Sequence, residues 1–135
     1  MAPIIIGVTN HVHLVFRCVD YFKPQLVLGD FKRFTSKAIV QAIIDNPKES
    51  RKDWLLEKFL KAGAASSNVN KYQFWRHDNR PIELWSNKVI SEKISYIHKN
   101  PVEEGLVYHP WEYIYSSAKD YSGEKGVLDN LIVIK

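Results

Sequence analysis

Residues 11–17 alternate in side-chain character, and that alternation constrains the chain more than any other stretch. Val12, Leu14 and Phe16 fall on one side of an extended backbone, and His11, His13 and Val15 on the other. A period of two specifies a strand. It also sets two imidazoles on one face, because side-chain direction repeats every second residue. Just ahead, residues 4–7 (Ile-Ile-Ile-Gly) read as the entry to a buried strand.

Further on the period changes. Asp30 is placed to cap a helix over 31–44, in which Phe31, Phe34, Ala38, Ile39, Ala42 and Ile43 recur at helical spacing. Lys32, Arg33 and Lys37 lie on or beside its other side, and Asn46-Pro47 ends it. Ser50 opens a second helix over 51–62, with Trp54, Leu55, Phe59 and Leu60 as its core side and Gly63 as its stop. Residues 64–71 are small and polar and read as an exposed loop. Residues 72–75 and 82–85 read as strands on either side of an Asp78-Asn79-Arg80-Pro81 turn. Ser86 or Asn87 caps a third helix to about residue 99, and Gly105 ends a turn after Pro101. In the aromatic and then apolar tail, Leu131, Ile132, Val133 and Ile134 can add a strand. The order of elements specifies an α+β fold, and 135 residues fit one domain over 1–135.

Composition excludes several classes. Hydrophobic residues are 45% and charged residues 25%, which rules out a disordered or collagen-like chain. No apolar stretch approaches the roughly 20 residues that span a bilayer, and Met1 is followed by no basic secretory leader. The single cysteine, Cys18, forms no internal disulfide and suits a reducing cytosol. Nineteen Lys and Arg against fifteen Asp and Glu give +4 and a pI near 9.1, compatible with a nucleic-acid partner.

Three groups of residues could carry chemistry. His11 and His13 can hold one divalent metal, or can simply line a solvated strand face. Tyr96 and Asn100 are four apart on the third helix and share a face. Tyr96 is either a nucleophile or a core residue; Asn100 is either a hard-metal ligand or, in Asn100-Pro101-Val102-Glu103, the N-cap of a following turn. His98 lies on another face and reads as a surface residue. Lys32, Arg33 and Lys37 either contact phosphates or form a solvated helix face.

Two longer motifs favour the chemical reading of His11, His13 and Tyr96. Asn10-His11-Val12-His13-Leu14 resembles the Asn-His-Val-His-Leu signature of the IS200-like and REP-associated tyrosine transposases, single-tyrosine HUH enzymes. Tyr96-Ile97-His98-Lys99-Asn100-Pro101-Val102-Glu103-Glu104-Gly105-Leu106-Val107 is similar to that family's Tyr-Ile-x-x-Asn-Pro-Val-x-x-Gly-Leu-Val segment. The resemblance extends from about residue 7 to 126, and Arg76 stands where the family has Gln. It implies a ferredoxin-like HUH domain: an antiparallel sheet with helices packed on it, its N-terminal strand missing or shortened. It further implies that His11, His13 and Asn100 coordinate Mg²⁺ or Mn²⁺, and that Tyr96 attacks single-stranded, hairpin-containing DNA. The products are a 5′-phosphotyrosine link and a free 3′-OH, followed by strand transfer. Lys32, Arg33, Lys37 and Arg76 are the implied DNA contacts. The expected setting is the cytoplasm, at the nucleoid, with no membrane partner and with a homodimer as one assembly open to it. Two other readings keep part of this picture: a truncated, inactive DNA-binding relative, and a metal-dependent nuclease without a covalent step.

Overall fold

A computed structural model describes residues 4–8, 10–19, 21–67, 71–129 and 131–134. Within them the chain is mixed and helix-rich. Strand β1 (Ile4–Val8) and strand β2 (His11–Val15) are followed by helices α1 (Pro24–Asp45), α2 (Lys52–Ala64) and α3 (Asn87–Glu103). A single 3-10 turn (Pro110–Glu112) and the short helix α4 (Ala118–Tyr121) complete the order. The chain gathers into two compact units: residues 1–21 with 82–135, and residues 22–81.

In the first unit β1 and β2 pair antiparallel, Ile6 opposite His13 and Val8 opposite His11. The strand entry read over residues 4–7 is thus a strand of five residues. Helix α3 begins at Ser86, whose extended backbone and side-chain oxygen satisfy the Val89 N–H at 3.3 Å. It runs to Glu103, past the end expected near residue 99, and carries Pro101 inside it. The N-cap reading of Asn100 is thereby corrected: Asn100 and Pro101 lie within one continuous helix. The stop comes at Gly105, whose φ of +71° is open to a residue without Cβ. Leu106 N–H bonds to the Pro101 carbonyl at 2.9 Å and Gly105 N–H to that of Val102 at 3.0 Å, the paired bonds of a Schellman cap.

The buried stripe of α3 is Ile94, Ile97, His98 and Pro101, spaced three and four apart. Ile97 packs against Val15 of β2 and Tyr113, and each buried isoleucine is worth about 1.5–3 kcal/mol of transfer energy. His98 is the correction here: it is 9% exposed, not a surface residue. Its Nε2 lies 2.8 Å from the Oγ of the fully buried Ser117, and its ring meets Tyr121 edge-on at 4.9 Å. The same contacts fasten both ends of α4 to α3.

In the second unit α1 starts seven residues ahead of the expected position, because Pro24 occupies the first helical turn, where its missing N–H costs nothing. Asp30 lies inside the helix and pairs with Arg33. Val40 is buried and Phe31, Ile39 and Ile43 are half-buried, whereas Phe34, at 74% exposure, faces solvent with Ala38 and Ala42. On α2 the inward residues are Leu55, Leu56 and Phe59, while Trp54 and Leu60 are exposed. Gly63 is not a stop but a buried helical residue in close approach to the Lys71 carbonyl, with no room for a Cβ.

The strands expected at 72–75 and 82–85 do not form, nor does one at 131–134. Residues 71–75 spend their polar groups on helices instead: Gln73 N–H bonds to the Phe59 carbonyl at 2.9 Å, and Trp75 Nε1–H donates to Thr35 Oγ1 at 2.8 Å. Phe74 meets Phe59 edge-on at 5.3 Å. Ile82 and Trp85 are largely exposed and have no ladder partner. At the tail, Ile134 N–H bonds to the Tyr121 hydroxyl at 3.0 Å. Among the described residues the sheet thus has two strands, and the larger antiparallel sheet with helices packed on it is not formed. Residues 68–70 of the expected loop lie outside the described residues. No helix among the described residues is long and apolar enough to cross a membrane.

Candidate functional site

Strand period and helix period converge in the first unit. His11, His13 and Val15 share one face of β2, and Val15 packs on Ile97 of α3. His13 therefore meets the residue preceding Ile97, Tyr96. The His13 and Tyr96 rings lie 5.9 Å apart and nearly perpendicular, at 78°. The His11 and His13 rings are 4.9 Å apart at 86°. Tyr96 stays half exposed because Ile94 and Ile97 take the buried side of its helix. Lys93 Nζ lies 6.0 Å from the centre of its ring, a cation above a π face.

Three polar details bear on what this cluster can hold. His11 Nδ1 lies 2.9 Å from the Asn10 side-chain oxygen; with that oxygen as acceptor, Nδ1 carries the proton and Nε2 keeps a free lone pair. His13 Nε2 is buried and has no hydrogen-bond partner. Asn100, 7% exposed and one helical turn from Tyr96, has a buried Oδ1 that is likewise unpartnered. Buried polar atoms are ordinarily satisfied; with Nε2 as the unprotonated nitrogen of His13, these two unpartnered atoms on β2 and α3 would each suit a cation. Burial first, and the neighbouring His11 second, hold the His13 imidazole below its ordinary pKa, which keeps it neutral and able to ligate. The donor set of two imidazoles and an amide oxygen fits a divalent metal of intermediate hardness. Among the described residues no group of three His, Cys, Asp or Glu side chains could hold one.

The expected DNA contacts belong to the 22–81 unit, and most are already engaged. Lys32 Nζ donates to the Arg76 carbonyl at 2.6 Å, and burial lowers its pKa while Asp78 opposes that shift. Arg33 pairs with Asp30, and Arg76 Nε with Asp78 at 3.2 Å. Lys37 is exposed and, among the described residues, makes no ion pair. Asn10 and Lys93 were not singled out by sequence reasoning. Asn10 could have been, since it opens the histidine motif; Lys93 is a surface lysine until the helix brings it three residues behind Tyr96.

No protein-family model, no curated protein and no solved structure matches this chain.

Proposed function

We propose that the chain cleaves single-stranded DNA and transfers strands through a tyrosine-linked intermediate. The observation that carries this reading is the approach of Tyr96 to His13 at 5.9 Å, which brings the two sequence motifs to one place. His11, His13 and Asn100 would hold a divalent ion, Mg²⁺ or Mn²⁺. When bound, such an ion supplies Lewis-acid polarisation of a phosphate oxygen. Tyr96 supplies the nucleophile: its phenolic oxygen forms a bond to phosphorus as the bond from phosphorus to the 3′ oxygen breaks. The phenolic proton leaves to solvent, and the departing oxygen becomes a free 3′-OH. The phosphate remains on Tyr96 as a 5′ ester, and attack by another 3′-OH releases the phenol and reseals the strand without ATP. Half exposure of Tyr96 suits this role, because a chain as bulky as DNA must reach it.

The test is denaturing electrophoresis of the protein incubated with labelled single-stranded hairpin DNA and Mn²⁺. Wild type should give a shifted, covalent band, and Tyr96→Phe should bind DNA without one. A band that persists in Tyr96→Phe moves the nucleophile elsewhere. Metal-dependent cutting without a band supports the nuclease reading, and binding without cutting supports the inactive relative.

A further inference from the structure

Charge is divided between the two units. Residues 22–81 hold twelve Lys and Arg against six Asp and Glu, whereas the rest of the chain holds seven against nine. The whole positive excess of the protein therefore belongs to the helical unit, and the unit with Tyr96 and the histidines is slightly acidic. A polyanion is attracted by such a field before any specific contact forms.

Within the helical unit, α2 offers the surface most suited to a single strand. Trp54 is 56% exposed, with Lys58 one turn on and its Nζ 5.9 Å from the indole centre. Lys61 follows at the next turn on the same face, paired with Glu57. Arg51, just ahead of the helix, is held by Glu49 at 3.1 Å. An exposed indole among cations is the combination that single-strand binders use, with a ring to stack on any base and positive charge for the backbone. On α1, Lys32 and Arg33 are bound within the chain, as is Arg76 in the loop after α2.

We infer that the 22–81 unit holds single-stranded nucleic acid on the outer face of α2, with a base stacked on Trp54 and phosphates beside Lys58 and Lys61. This deepens the proposed function and rests on that reading for the choice of a nucleic acid as occupant. It separates the holding of the strand from the chemistry on it.

The experiment uses the full chain, a fluorescein-labelled oligothymidylate and a chelator to prevent cleavage, with anisotropy read over a salt series. Trp54→Ala should weaken binding about ten-fold, and Trp54→Phe, which keeps a ring, should recover most of it. Lys58→Gln and Lys61→Gln should each flatten the salt slope by ~0.7, the release expected per phosphate on a single strand. Lys125→Gln, in the other unit, should change neither. Unchanged affinity and slope in the α2 variants overturn the inference, as does a Trp54→Phe protein as weak as Trp54→Ala. Capture of phosphatidylserine vesicles with the same α2 dependence, and none of the oligonucleotide, also overturns it. The Tyr96 adduct is scored separately. An adduct with α2-independent binding removes this inference and leaves the proposed function standing; α2-dependent binding without an adduct does the reverse.

Discussion

A buried Nε2 with no partner gives His13 no structural benefit. Such an atom costs about 1–3 kcal/mol of desolvation, and Asn100 Oδ1 adds a second instance four residues from Tyr96. A cation held by both atoms would recover these costs. His11→Ala and His13→Ala should therefore each abolish Mn²⁺-dependent cleavage while circular dichroism stays native, and Asn100→Ala should reduce it in part. Thermal unfolding gives a second readout. Mn²⁺ at a hundred times its Kd should stabilise wild type by about 2.7 kcal/mol, and should leave the His13→Ala midpoint unmoved. Cleavage that survives either histidine change removes the metal assignment. The basic residues separate in the same way. Lys37→Gln should flatten the salt dependence of DNA binding, whereas Lys32→Gln should mainly lower stability, because Lys32 donates to the Arg76 carbonyl.

Helix α3 positions Tyr96 and Asn100, and its two ends are set by local rules. Ser86 caps one and the left-handed Gly105 closes the other. Gly105→Ala forces a Cβ into that conformation at a cost of roughly 1–2 kcal/mol, and Ser86→Ala should cost about 1 kcal/mol; urea titration measures both. If the Gly105 variant is as stable as wild type, the Schellman cap is not holding the helix. The start at Ser86 was readable from residue types alone, as were the strand period of β2 and the breaker at Asn46-Pro47; the far end was not, because the helix continues through Pro101 to Glu103. The inward faces were less so. Trp54 and Phe34 recur at helical spacing yet point to solvent, because an apolar residue specifies a face only when another element covers it. Residues 72–75 have the composition of a strand, but β pairing needs a partner edge, and Gln73 and Trp75 found theirs on α2 and α1.

For the molecule as a whole, pH should act on one unit more than the other. Burial holds the pKa of His98 below its ordinary value, with Asp120 opposing the shift, and His13 shifts in the same direction. The unfolded chain then binds more protons than the folded one between the two values. Stability is full above the ordinary imidazole pKa of about 6.5. It falls as pH drops through that value, and levels off below the folded one. Both histidines lie in the unit of residues 1–21 and 82–135. Hydrogen exchange at mildly acid pH should accelerate in α3 and α4 before α1 and α2, and His98→Gln should reduce that acid loss while lowering stability near neutrality. Equal acceleration in α1 and α2 would show that His98 is not the sensitive group. By itself the sequence determined the histidine strand, the helix carrying Tyr96 and Asn100, and the net positive charge, because each follows from local spacing or from counting. Only the tertiary structure decided that His98 is buried on Ser117, that Lys32, Arg33 and Arg76 are occupied, and that the sheet has two strands among the described residues. Those outcomes depend on which distant group comes within hydrogen-bonding reach, and no local spacing encodes that.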